Sequence, residues 1–192
     1  MNGLLRATRR IAQIGSWFGG VLILASALIV TTDVLLRKFL NVTLGGADLI
    51  AGFCLAMASA WGFAFAFLNR GHIRIDTFYV RMPARLQLAA DVLGVLLMIA
   101  FFGLVTWYAI GVTEHSIRLG SRTMSTLQLP VAIPQIIWVA GLVFFLFAMV
   151  LTLVTALVLA RRQAWSEVRK LIGSRSLDDE IADEQAASRV GR

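Results

Sequence analysis

The chain of 192 residues has one cysteine, three prolines and two histidines, and only 15% of its residues are charged. A lone cysteine, Cys54, excludes an internal disulfide and a cysteine-rich metal site. The sequence also lacks a nucleophile–base constellation, a phosphate-binding loop and a cluster of metal-ligating residues. We therefore expect that the chain is not an enzyme and that it binds no cofactor of its own.

Charge is nearly absent from four long stretches, and hydrophobic residues make up 58% of the chain. Soluble domains usually contain about 45–50% apolar residues. Each stretch is at least as long as the ~20 residues that a helix needs to cross a bilayer, and lipid favours helices because they satisfy their own backbone. The pattern predicts an all-α integral membrane protein with four transmembrane helices, at about residues 17–36, 49–68, 86–113 and 131–160.

The net charge of +7 comes mainly from arginines that precede span one, follow span two or follow span four. The positive-inside rule then places both termini in the cytoplasm. Residues 1–16 form a cytoplasmic N-terminus, residues 17–162 the membrane domain, and residues 163–192 a cytoplasmic tail that is partly disordered. We attribute the basic surplus to this topology and to anionic membrane lipids, and we expect no binding of nucleic acid.

The stretch NRGHIRIDTFYVRMPAR at 69–85 places cationic and apolar side chains on opposite faces at helical spacing. This pattern predicts a short amphipathic helix in the inner headgroup plane between spans two and three, where it serves as an anchor. A solvated basic loop is the alternative. The candidate anchor residues are His72, Arg74, Asp76, Arg81 and Arg85.

Ionisable residues inside spans are functional candidates. Asp33 lies four residues before Arg37, so the two share a helix face and can pair. Asp91 lies about two turns into span three. We interpret both acids as polar contacts between helices or subunits.

Small residues recur every four positions in span two, at Gly52, Ala56 and Ala60. Such residues let helices approach closely in lipid. They favour either packing within the bundle or a docking face for another membrane subunit, and both interpretations stay open. Trp61 lies deeper than the interfacial aromatic belts, and we expect it to pack against a neighbouring helix.

A wider set of motifs resembles one family, the DctQ-like small permease subunits of tripartite ATP-independent periplasmic (TRAP) transporters. The resemblance extends from about residue 17 to residue 160. Asp48 is a departure, because family members often have glutamate at this position. The motifs are DVLLR at 33–37, an acid at 48, GHIRID at 71–76, Pro83, and the pairs LP at 129–130 and IP at 133–134.

The resemblance implies a multi-pass protein of the bacterial inner membrane that braces a large permease subunit. That large subunit would carry the sodium and substrate sites and move as an elevator. A periplasmic binding protein would deliver an organic acid for sodium-driven uptake. The periplasmic loop before span four supplies further candidate residues, and its contact with the binding protein stays open: Arg118, Arg122, Pro130 and Pro134.

Two other functions remain open from the sequence. The chain could be the membrane anchor of a redox enzyme that binds haem or quinone at a subunit interface. His72 and His115 fall at opposite membrane surfaces, so they cannot share one iron within a single chain. The chain could instead be a small autonomous carrier that works as an oligomer and uses Asp33 or Asp91.

Overall fold

The computed structural model describes residues 2–69 and 83–161. These residues form four α-helices, each long and apolar enough to cross a membrane. The predicted four-span helical architecture is therefore confirmed, whereas the predicted in-plane helix falls mainly on residues 70–82, outside the described residues. The helices are α1 (Asn2–Leu40), α2 (Ala47–Leu68), α3 (Ala84–Arg118) and α4 (Ala132–Arg161).

The ends of α3 follow from local chemistry. Pro83, in an extended conformation with φ −63° and ψ 147°, precedes the helix, and its carbonyl accepts the Leu86 amide at 2.9 Å. Gly120 follows the other end with φ +58°, a left-handed conformation that costs glycine little. The Ser121 amide then returns to the Ser116 carbonyl at 3.0 Å. Proline before a helix and left-handed glycine after it thus fix the limits of α3.

Helix α1 is much longer than the predicted span at 17–36. Its 39 residues begin at Asn2 and continue without interruption to Leu40. At 1.5 Å per residue the helix is about 58 Å long, compared with ~30 Å for a hydrocarbon core. Ala12 is only 1% exposed, so part of the stretch before residue 17 is packed inside the bundle.

The packing order of the helices is α1, α2, α4, α3. Helix α2 lies against both α1 and α4, α3 lies against α4, and α1 touches α4 at few points. Phe145 of α4 is fully buried where α2, α3 and α4 meet. Its ring centroid lies 4.8 Å from that of Phe102 in α3 and 5.6 Å from that of Phe63 in α2. Aromatic contact therefore joins α2, α3 and α4.

Glycines bring the helix backbones close together on both sides of α2. A Cβ at Gly19 of α1 would lie 3.1 Å from the carbonyl oxygen of Ala58 and 3.2 Å from its Cα. A Cβ at Gly141 of α4 would lie 3.0 Å from the Cβ of Ala60. Close approach of this kind is how helices gain contact in lipid, where little hydrophobic force drives them together.

Replacing Gly19 should therefore separate α1 from α2. We expect Gly19→Leu to lower the free energy of unfolding by about 1–3 kcal/mol, the usual cost of inserting methylenes into a packed contact. The opposing atoms belong to the Ala58 backbone and cannot rotate away. Loss of helical circular dichroism on heating in detergent measures the effect.

Gly103→Leu is the matched control, because a Cβ at Gly103 in α3 would meet nothing within 4 Å. Equal thermal unfolding of the two variants would contradict a close α1–α2 contact at Gly19.

Candidate functional site

Asp33 organises the connection between α1 and α2. It is only 3% exposed, and its Oδ1 accepts the Thr43 hydroxyl at 2.9 Å and the Leu44 amide at 2.7 Å. Its Oδ2 accepts a hydrogen bond from Arg37, one helical turn further along. The structure thus brings the predicted pair together and adds two loop donors. These bonds hold the loop at 41–46 back against the last turns of α1.

The same loop is bonded to the loop at 119–131. The Thr126 hydroxyl donates to the Gly45 carbonyl at 2.7 Å. Gly45 has φ +65°, and a Cβ there would lie 2.2 Å from the Thr126 Oγ1, so both conformation and space require glycine. We call the chain of contacts through Arg37, Asp33, Thr43, Leu44, Gly45 and Thr126 the interloop network.

The loop at 119–131 is closed by its own hydrogen bonds. The Thr123 amide donates to the Leu129 carbonyl at 2.9 Å, and the Leu129 amide donates to the Thr123 hydroxyl at 2.9 Å. Arg122 and Pro130 pair in a single antiparallel bridge. Two of the predicted loop residues therefore face each other, and the loop presents a fixed shape to Gly45.

The other two predicted residues of this region lie in helices. Arg118 is in the last turn of α3, where its guanidinium bonds the carboxylate of Glu114, and both side chains are exposed. Such surface pairs add little stability. Pro134 is in the first turn of α4, where a missing amide hydrogen has no cost.

Trp61 lies at the junction of α1, α2 and α4. Its Nε1 donates to the Ile137 carbonyl at 3.1 Å, and its ring stacks on Phe144 with centroids 5.9 Å apart. A Cβ at Gly15 of α1 would lie 2.8 Å from the Trp61 ring. The tryptophan thus packs against two neighbouring helices, and glycine provides the room for it.

The small residues of span two divide into two groups. Ala60 is fully buried and lies against Gly141 of α4. Gly52 and Ala56 are exposed, as is Asp48 in the first turn of α2. The inner part of the ridge is thus used within the bundle. A subunit contact at Asp48, Gly52 and Ala56 stays a prediction.

Several candidate residues are not brought into this site. His72, Arg74, Asp76 and Arg81 lie outside the described residues, and Arg85 lies in the first turn of α3. Asp91 is 3% exposed within α3, and His115 is exposed in the last turn of that helix. No group of three or more potential metal ligands occurs within residues 2–69 and 83–161.

Sequence reasoning missed Gly15, Gly19, Gly45 and Thr126. The four-residue spacing of Gly15 and Gly19 is a small-residue motif that could have indicated the α1–α2 contact. The Gly45-Gly46 pair could have indicated a constrained turn. Thr126 carries no such signal, because its partner lies 81 residues away.

We expect Asp33→Ala to release the loop at 41–46. Hydrogen–deuterium exchange of the Leu44 amide should accelerate by at least about tenfold, since that amide loses a charged acceptor. Mass spectrometry of peptides that contain this loop measures the rate.

Glu114→Ala is the control, because it removes an exposed acid that pairs with Arg118 and lies outside the interloop network. Unchanged exchange in Asp33→Ala, or equal acceleration in both variants, would show that Asp33 does not hold the loop.

Comparison with known proteins identifies a family whose model matches this chain. The model of the DctQ component of tripartite ATP-independent periplasmic transporters matches residues 26–159. No curated protein matches the chain. The matched segment covers more than two thirds of the chain, from within α1 to the last turns of α4, and includes the whole interloop network. The chain therefore belongs to the DctQ family of TRAP transporter components.

Proposed function

We propose that this chain braces the large permease subunit of a TRAP transporter during sodium-driven uptake of an organic acid. Membership of the DctQ family makes it the small component of a system that also has a large permease and a periplasmic binding protein. The proposal assigns the sodium and substrate sites to the large subunit. This chain supplies a fixed surface against which that subunit works.

The packed interior of the bundle is the observation that supports assigning the sodium and substrate sites to the large subunit. Ala60, Ala64, Phe145, Ala148 and Met149 have no exposed surface. Among residues 2–69 and 83–161, a centre packed to this degree leaves no central space for a solute to cross.

The buried hydroxyl groups support the same assignment. Thr106 donates to the Phe102 carbonyl at 2.7 Å, and Thr113 donates to the Ala109 carbonyl at 2.8 Å. Thr152 in α4 bonds the Ala148 carbonyl in the same way at 2.8 Å. Each hydroxyl is thus bonded to a carbonyl of its own helix, which favours a structural role over a role as ligand for a coupling ion.

Asp33 also fits a scaffold better than a carrier. A carboxylate that binds a coupling ion must exchange its partners during each cycle. The Asp33 carboxylate instead accepts from Arg37, Thr43 and Leu44 and thereby holds a loop. This arrangement favours bracing over the autonomous-carrier alternative.

The surface of the bundle suits contact with lipid and with a membrane partner. Large apolar side chains are exposed along α1 and α3, including Trp17, Phe101 and Trp107. The proposed orientation has both termini in the cytoplasm of a bacterium, as the distribution of arginines favours. An in-plane helix at 69–85 would resist movement through the membrane, because burying arginine in lipid is costly.

Uptake should require both membrane subunits. We expect proteoliposomes with this chain, the large subunit and the binding protein to accumulate an organic acid when sodium is supplied outside. Omitting this chain should reduce uptake to the background level, and this chain alone should move no solute.

Uptake of radiolabelled substrate measures each case. Proteoliposomes that contain the large subunit but have no sodium gradient give the background level. Solute movement by this chain alone, or full uptake by the large subunit without it, would overturn the bracing role.

Cysteine labelling should report the proposed orientation. In a Cys54→Ala background, Gln128→Cys should react with a membrane-impermeant maleimide from the periplasmic side. Gly3→Cys should react only after the inner membrane is permeabilised. The reverse pattern would refute the cytoplasmic placement of the N-terminus.

A further inference from the structure

A groove of about 590 Å³ runs along the N-terminal half of α1. Its lining comes from one face of the helix, at Gln13, Ser16, Trp17, Gly20, Val21 and Leu24, with Phe65 of α2 as a wall. Gly20 adds no side chain to the groove, and a Cβ there would meet nothing within 4 Å. The result is a shallow, mainly apolar groove with two polar residues, Gln13 and Ser16, at one end.

Arginines continue this face toward the N-terminus. Arg9 and Arg10 precede Gln13 by four and three residues, which places them one turn away on the same side of α1. Both are exposed. The face therefore changes from cationic to polar to apolar over about four turns.

The length of this face along the helix axis matches the thickness of one leaflet of a bilayer. From Gln13 to Leu24 the helix rises about 16 Å, and half of a ~30 Å hydrocarbon core is about 15 Å. Ala12 packs in the same cluster as Ala64, four residues before the end of α2 at Leu68. Arg9 and Arg10 thus lie near the level at which α2 ends, where headgroups are expected.

We propose that this groove binds one anionic phospholipid of the leaflet that surrounds the N-terminal half of α1. An acyl chain lies along Gly20, Val21 and Leu24, and the headgroup phosphate lies at Arg9 and Arg10. Trp17 occupies the boundary between them, the position that tryptophan prefers in membranes. The site does not depend on the transport function.

A helix of another subunit fits the groove less well. Such a helix crosses the full ~30 Å of hydrocarbon, whereas the groove ends after about 16 Å at Leu24. The arginines at the other end would also need acidic partners on that helix. A lipid meets both conditions, since it has the length of one leaflet and a negative charge at one end.

Native mass spectrometry tests the site. The full chain, purified with its large subunit, is reconstituted in nanodiscs that contain equal amounts of phosphatidylglycerol and phosphatidylcholine and is then released in detergent. We expect the wild type to retain phosphatidylglycerol preferentially. The double variant Arg9→Gln and Arg10→Gln should lose about 25-fold of that preference, at about fivefold per arginine. Gly20→Leu fills the groove and should abolish retention of either lipid.

The matched controls are Arg118→Gln, which removes an exposed arginine at the other end of the bundle, and Gly103→Leu, which adds a side chain to open space on α3. Both should retain phosphatidylglycerol as the wild type does. Circular dichroism of Gly20→Leu should match that of Gly103→Leu, so that loss of lipid is not loss of fold.

Wild-type retention of phosphatidylglycerol in both groove variants would overturn the proposal. Loss of the large subunit from Gly20→Leu, with lipid retention unchanged, would show that a helix of that subunit occupies the groove. The same measurement on the full chain alone reports on the lipid even if no large subunit co-purifies, which separates this proposal from the proposed function.

Discussion

Close contact between helix backbones is the constraint on which this bundle depends. In lipid, helices gain little from hiding apolar surface, because the surrounding acyl chains are equally apolar. Contact must come from shape, and here glycines provide it. Gly15 and Gly19 allow α2 to approach α1 closely, and Gly141 allows α2 to approach α4 closely. The Trp61 indole then reaches the Ile137 carbonyl, and Phe145 can meet rings from two other helices.

The interloop network adds a polar constraint at one end of this packed body. A buried carboxylate is unfavourable unless donors surround it, and Asp33 has three. Two of those donors belong to the loop that follows α1, and Thr126 connects that loop to the segment between α3 and α4. The hairpin of α1 and α2 and the hairpin of α3 and α4 are thus joined through their loops as well as through their core. A subunit built in this way suits a role as a rigid support.

The sequence predicted most of the architecture because the membrane imposes strong rules on composition. Four stretches with little charge were enough to indicate four helices, and the spacing of Asp33 and Arg37 was enough to indicate their contact. The start of α1 was not predicted, because Arg6, Arg9 and Arg10 end an apolar run without ending a helix. The Gly45–Thr126 contact was not predictable either, since two residues 81 positions apart with no shared periodicity leave no local pattern.

The length of α1 has a consequence for the whole subunit. A helix of about 58 Å is longer than the ~30 Å hydrocarbon core, so α1 must tilt or extend beyond the core. Because Gly15 and Gly19 hold α1 against α2, any tilt of α1 is shared by α2 and by the loop at 41–46 that joins the two helices.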